Sequence, residues 1–180
     1  GYTYYKIPGD QNYQPGKYTV EPDCSQAGYF WAAAAITGAS IKINGVTKDS
    51  RQGDVGFADV LEKMGCTVIY ENDGITVAGG ELSGIEVDMS NMPDIVPTLS
   101  IVAAFAKGKT IIRNVAHLKE KESDRIGSVA KELNKMGIDA KAGESGLVIT
   151  GGTPRGAEIE TYDDHRMAMS FSIAGLVVPK

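Results

Sequence analysis

A pattern recurs about every seventy residues along this chain, and it restricts the fold more than any other feature. Three segments read as a short strand, an acidic residue and then an apolar helix. The first is Y-T-V-E-P-D-C-S-Q-A-G-Y-F-W-A-A-A-A-I-T-G, the second I-E-V-D-M-S-N-M-P-D-I-V-P-T-L-S-I-V-A-A-F-A-K-G, and the third A-E-I-E-T-Y-D-D-H-R-M-A-M-S-F-S-I-A-G-L. The acidic residues are Asp23, Asp94 and Asp164, 71 and 70 positions apart.

The sequence after each helix repeats as well. Ser40–Ile43 and Thr110–Arg113 read as strands, and each precedes a second helix. Those helices end at Gly65 and Gly137, where a glycine suits a C-cap. Thr67–Tyr70 with Ile75–Ala78, and Ile138–Lys141 with Leu147–Thr150, then read as hairpins around Asn72-Asp73-Gly74 and Gly143–Gly146. The unit is therefore βαβαββ, with copies at about 18–80 and 84–150 and a third, truncated, from 157. Residues 1–20, with Pro8-Gly9 and Pro15-Gly16, read as an entering hairpin. Phe30–Ile36 and Leu99–Ala106 are apolar nearly all round, which predicts burial on every side. The expected class is α/β, with sheets outside and helices buried within one domain.

Composition narrows the partners. A hydrophobic share of 42% and a charged share of 23% are those of a globular protein, and no apolar run approaches the ~20 residues of a membrane span. A net charge of -5 without a long basic patch argues against nucleic acid. Cys24 and Cys66 lack metal-ligand company, and read as core fillers in a reducing compartment. Two distant His residues do not suggest a zinc site. Gly1 shows neither an initiator Met nor a signal peptide, which suggests a processed or truncated chain.

Charge is concentrated in H-L-K-E-K-E-S-D-R-I, His117–Ile126, where six of the seven residues from Lys119 to Arg125 are charged. A helix follows, with Ser123 as N-cap candidate and Asp124 in its first turn. The partial positive charge of a helix start disfavours Lys121 and Arg125 unless an anion binds there. Arg166 poses the same problem at the third apolar helix, where Gln26 and Val96 stand in the other copies; Asp163 or Asp164 are its candidate partners. Pro93 and Pro97 give Asp94 a rigid setting, whereas Asp23 reads as an N-cap. Three bases at helix starts can hold a carboxylate and a phosphate. Asp94 and Glu122 can act as base and acid if their environments differ. The residues alone point to transfer chemistry on a phosphorylated small molecule.

L-K-E-K-E-S-D-R-I and Y-D-D-H-R-M-A-M-S-F-S-I-A-G-L resemble two signatures of the 3-phosphoshikimate 1-carboxyvinyltransferases, or EPSP synthases. V-E-P-D-C-S-Q-A-G-Y-F-W-A-A-A-A-I, R-Q-G-D-V-G-F-A-D-V-L-E-K-M-G and N-M-P-D-I-V-P-T-L-S resemble further family segments in order. The resemblance implies an inside-out α/β domain of repeated βαβαββ units. It implies transfer of the enolpyruvyl group of phosphoenolpyruvate to the 5-hydroxyl of shikimate 3-phosphate, with no metal or organic cofactor, in a cytoplasmic pathway to aromatic amino acids. It assigns Asp94 as base near the 5-hydroxyl. Lys121 contacts shikimate 3-phosphate, Glu122 shuttles a proton to the methylene carbon, and Arg125 and Arg166 grip phosphoenolpyruvate. His117 stands at the shikimate phosphate site where many members have Asn, and Lys119 where they often have Arg.

By the same resemblance this is most of a C-terminal domain. The N-terminal domain, with its Lys-Ser and Ser-Ser-Gln phosphate-binding segments, and a tail past Lys180 are missing. The chain is then half a site, inactive alone. Two rivals stay open: a UDP-N-acetylglucosamine enolpyruvyl transferase-like enzyme, whose catalytic-cysteine loop is not seen, and a non-catalytic binding domain on the same scaffold.

Overall fold

Three helices pack on one another at the centre of the molecule: α1 (Cys24–Thr37), α3 (Val96–Phe105) and α5 (His165–Ala174). In this computed structural model, which describes residues 3–179, they are the starts of the three repeat units. Every residue of α3 from Val96 to Ala104 is buried, as its all-round apolar sequence predicts. Where α3 meets α5, the hydroxyls of Thr98 and Ser170 hydrogen-bond at 3.0 Å, so each satisfies the other inside the core. α1 is less enclosed than expected. Trp31 is buried, but Phe30 is 56% exposed, because that face of the helix has no neighbour among the described residues.

The second helix of each unit lies outside this trio and is amphipathic. α2 (Phe57–Met64) buries Phe57, Val60, Leu61 and Met64, and α4 (Arg125–Lys135) buries Ile126, Val129 and Leu133. Gly65 ends α2 in the left-handed conformation, φ +113°, as its C-cap role requires. α4 stops two residues before Gly137, with Met136 as cap.

Two sheets cover the helices. β1 (Ser40–Asn44), β3 (Gly74–Ala78) and β2 (Thr67–Glu71) form one, antiparallel in the order β1-β3-β2. The other has the order β4-β5-β7-β6, from β4 (Glu86–Asp88), β5 (Lys109–Arg113), β7 (Leu147–Thr150) and β6 (Asp139–Ala142). Its β5-β7-β6 part repeats the first sheet's pairing; β4 joins parallel to β5 through the α3 crossover. No residue of β1, β2 or β4 is fully buried, whereas α3 is buried from Val96 to Ala104, α1 buries most of its residues and α5 half of them. Helices inside and strands outside is the expected inside-out arrangement.

Two expectations fail. The entering hairpin does not form: residues 3–23 contain no strand, and Tyr4, Tyr5, Ile7, Tyr13 and Tyr18 lie exposed. Tyr2 falls outside the described residues. A ladder needs a partner strand, and this segment meets none among the described residues. The leading strand also forms only in the second unit; 18–21 and 157–160 carry no strand and no sheet partner among the described residues. Among the described residues, no helix is long and apolar enough to cross a membrane.

Candidate active site

The starts of α3, α4 and α5 bring one knot of charges together. α3 is preceded by a 3-10 turn, Pro93–Ile95, whose N-terminal proline fixes φ and sets Asp94 at the junction. Asp94 is thus not an N-cap, unlike Asp23, which caps α1 through Ser25 and Gln26, and Asp164, which caps α5 through the Arg166 N–H. At α4 the N-cap is Asp124, accepting from the Gly127 N–H at 3.1 Å, not Ser123. The Ser123 hydroxyl donates instead to Asp164, 3.0 Å away, because that carboxylate lies against the same corner.

Arg125 is the centre of the knot, 1% exposed. Its Nε and Nη2 form a fork on Asp164 at 2.8 and 3.1 Å, Nη2 also reaches Glu122 at 2.6 Å, and Nη1 reaches Asp94 at 2.9 Å. The position that looks wrong for a helix dipole is therefore occupied by a guanidinium bonded to three carboxylates. Arg166 pairs with neither Asp163 nor Asp164 through its side chain. Its Nη2 meets the second oxygen of Asp94 at 3.1 Å, and its buried Nη1 has no partner among the described residues. Lys121 Nζ stands 3.7 Å from the first Asp94 oxygen. One carboxylate, Asp94, is thus held among Lys121, Arg125 and Arg166. His117 sits in the 3-10 turn Ala116–Glu120, exposed and without a side-chain hydrogen bond among the described residues.

Burial pushes the Asp164 carboxyl up, but the fork from Arg125, the Arg166 N–H and the Ser123 hydroxyl outweigh it and hold it below its usual range. The opposite happens at Asp54, in the 3-10 turn Gly53–Gly56 ahead of α2. Burial raises it, Asp94 raises it further, and Arg166 opposes both, leaving it at about 6. Gly53 permits this approach, since a Cβ there would lie 2.0 Å from the Asn91 carbonyl. Tyr29 of α1 completes the wall. Its buried hydroxyl faces the Arg166 side chain just short of full hydrogen-bond geometry; burial pushes the phenol up, and the charge and the approach of the Arg166 guanidinium oppose that.

Sequence reasoning did not single out Asp54 or Tyr29. Both come from the first unit and reach the site only through packing. The R-Q-G-D segment offered one signal, a glycine beside a carboxylate ahead of a helix. The raised pKa of Asp54 has a stability consequence. A carboxyl with a raised folded pKa stabilises the folded chain fully below its unfolded pKa of about 4, and that contribution is lost as pH rises through about 6. Asp54→Asn is therefore expected to raise stability at pH 8 and to be neutral at pH 4. The full shift corresponds to about 3 kcal/mol, and solvent contact reduces the expected gain to about 1 kcal/mol. Urea melts at the two pH values check it; an equal change at both would contradict the assignment.

The family model for EPSP synthase (3-phosphoshikimate 1-carboxyvinyltransferase) matches residues 1–180. The chain belongs to the EPSP synthase family. It is 49% identical over 175 residues to the 3-phosphoshikimate 1-carboxyvinyltransferase of Syntrophobacter fumaroxidans, covering 96% of this chain and 41% of that protein. The enzyme of the same name from Escherichia coli O6:H1 is 47% identical over 177 residues, covering 97% of this chain and 42% of its own. A solved EPSP synthase structure from Acinetobacter baumannii superposes with a TM-score of 0.78 at 36% identity, over 88% of this chain and 40% of that one. The inside-out α/β architecture is thus that of the EPSP synthases. The chain spans about two-fifths of the length of the curated relatives it matches.

Proposed function

We propose that this chain supplies one wall of an EPSP synthase site, in which the enolpyruvyl group of phosphoenolpyruvate moves to the 5-hydroxyl of shikimate 3-phosphate. The observation that carries the reading is the Asp94 carboxylate held by Lys121, Arg125 and Arg166 at the starts of three helices. Asp94 takes the proton of the 5-hydroxyl as its oxygen bonds to C2 of phosphoenolpyruvate. Glu122, 2.6 Å from Arg125 Nη2, takes up a proton from solvent as the bound anion draws Arg125 away from it, and passes that proton to the C3 methylene. The tetrahedral adduct then loses phosphate from C2 and returns the C3 proton to Glu122. Arg166 turns its unpartnered Nη1 toward the phosphoenolpyruvate anion, and Arg125 joins it by exchanging a carboxylate contact for that anion. Lys121 and His117 serve shikimate 3-phosphate, Lys121 as a point charge.

Charge bookkeeping supports a shared site. Lys121, Arg125 and Arg166 are matched one for one by Asp94, Glu122 and Asp164, with Asp54 and Asp23 close by. Two anionic substrates need more cations than that. We assign them, and the second wall, to the remaining length of the relatives, which makes the chain most of a C-terminal domain. Losing half of the positioning groups removes most of the rate, so the chain alone is inactive. Its two buried free thiols fit a reducing cytoplasm.

The test is phosphate release from shikimate 3-phosphate and phosphoenolpyruvate. It is run on the chain alone and on a chimera in which the chain replaces the matched 175 residues of the Syntrophobacter fumaroxidans relative. Silence alone and turnover in the chimera is the expected result. A folded chimera that binds neither substrate would favour the binding-domain reading.

A further inference from the structure

We propose that Glu132 and Tyr162 are positioning residues for the site, a buried latch that fixes the 160–164 strap and so sets Asp164 and Arg166. The proposal rests on the reading above for its target, and on separate geometry for itself. Glu132 lies on α4, seven residues after Arg125, and is 0% exposed. A buried carboxylate needs partners, and Glu132 has three. The Tyr162 hydroxyl donates to it at 2.6 Å, the Glu160 backbone N–H at 3.0 Å, and Lys135 pairs with it at 2.7 Å. Two of those three come from the strap. Burial raises the Glu132 carboxyl, but these partners together bring it below its usual value, so it is charged near neutrality. Burial and Glu132 push the Tyr162 phenol up to about 12, so it keeps its proton and donates.

The strap has a conformation that needs such a hold. Tyr162 and Asp163 are successive non-glycine residues in the left-handed region, φ 56° and 53°. That region costs roughly 1 kcal/mol or more per non-glycine residue and persists only where surroundings impose it. The two turns rotate the chain so that Asp164 caps α5 and faces Arg125, and Arg166 faces Asp94. Helix α4 thus grips the strap twice, through Arg125 on Asp164 and through Glu132 on Tyr162 and Glu160. Lys131, over the Tyr162 ring at 5.4 Å, covers the outer side. Glu132 touches no group assigned to substrate, so its effect passes through the strap.

Two measurements decide it. Hydrogen exchange is followed on the chain alone for wild type, Glu132→Ala, Glu132→Gln and Tyr162→Phe. Glu132→Ala is expected to accelerate exchange at 160–166 about tenfold or more while α2 is unchanged. Glu132→Gln keeps an acceptor and the side-chain shape and is expected to stay near wild type, with Tyr162→Phe between. In the chimera, Glu132→Ala is expected to lower kcat/KM for phosphoenolpyruvate about 100-fold, with KM for shikimate 3-phosphate within about twofold. Glu132→Gln rescues most of that loss. Uniformly faster exchange, or a fall in kcat with neither KM moved and no rescue by Gln, would make Glu132 merely structural and overturn the proposal. An inactive parent chimera would count against the proposed reaction and not the latch, which then stands or falls on the exchange pattern.

Discussion

Asp164→Asn lowers the stability of the chain by about 3–5 kcal/mol, the largest effect expected of any single conservative change in the site. Asp164 is 1% exposed and faces a guanidinium that is also 1% exposed. The substitution keeps the side-chain shape and removes one charge, which leaves Arg125 buried with Glu122 and Asp94 at its outer nitrogens and no charged partner at Nε. For a chain of this length the loss appears as a drop in Tm of about 10 °C or more. Arg125→Met combined with Asp164→Asn is expected to recover part of it, because removing both charges removes the desolvation problem with the attraction. The pH dependence carries the same signature. A carboxyl whose folded pKa is depressed stabilises above its unfolded pKa of about 4, and the contribution is lost as pH falls through the lower folded value. The gap between wild type and Asp164→Asn is therefore widest at neutral pH and closes in acid below about 4. Thermal melts between pH 3 and 7 measure it, and a gap that stays constant would show that the fork is not ionic.

That fork illustrates what could and could not be read from the chain of letters. Asp164 was visible as a helix-start acid because Asp23 and Asp94 recur at the same place in the repeat. Lys121, Arg125 and Arg166 were visible because bases at helix starts contradict the helix dipole, and the contradiction is resolved by anions, here carboxylates of the protein itself. The pairing was not visible. Asp163 and Asp164 are nearer to Arg166 in sequence than Asp94 is, yet the α3–α5 packing puts Asp94 against the Arg166 side chain. Ser123 had the residue type of an N-cap, but a neighbouring carboxylate claimed its hydroxyl and Asp124 took the role. Glu132 in K-E-L-N-K reads as the outer half of an i,i+3 pair with Lys135, and only the strap crossing α4 buries it. The inside-out core was legible in α3, whose apolar residues leave no polar face. The entering hairpin was misjudged because turn residues such as Pro8-Gly9 mark a bend, and whether flanking segments become strands depends on a sheet edge that local sequence does not contain.

Asp94→Asn is expected to do opposite things to binding and to turnover, and the opposition makes it the sharpest test of the proposed chemistry. In the chain alone, Asp94 occupies Lys121, Arg125 and Arg166 together. Any phosphate or carboxylate entering there competes with a carboxylate already in place. Removing its charge while keeping its shape takes the ion-pair partner from Lys121 and Arg166 and leaves the knot with one cation in excess beside the entering anion. Partly solvated charges a few ångströms apart are worth on the order of 1–4 kcal/mol, so phosphoenolpyruvate is expected to bind about tenfold more tightly or better. In the chimera the same substitution removes the group proposed to take the 5-hydroxyl proton, and kcat is expected to fall about 10²–10⁴-fold. Glu122→Gln should share the loss of kcat without the gain in affinity, because Glu122 bonds only Arg125 and is 49% exposed at its side chain, where water already screens its charge. Calorimetry on the chain and initial rates on the chimera separate the two effects. Weaker binding with Asp94→Asn would mean that the carboxylate organises the three cations instead of competing with their ligand. Unchanged turnover would remove Asp94 as the base and leave Glu122 and the cations to carry the reaction between them.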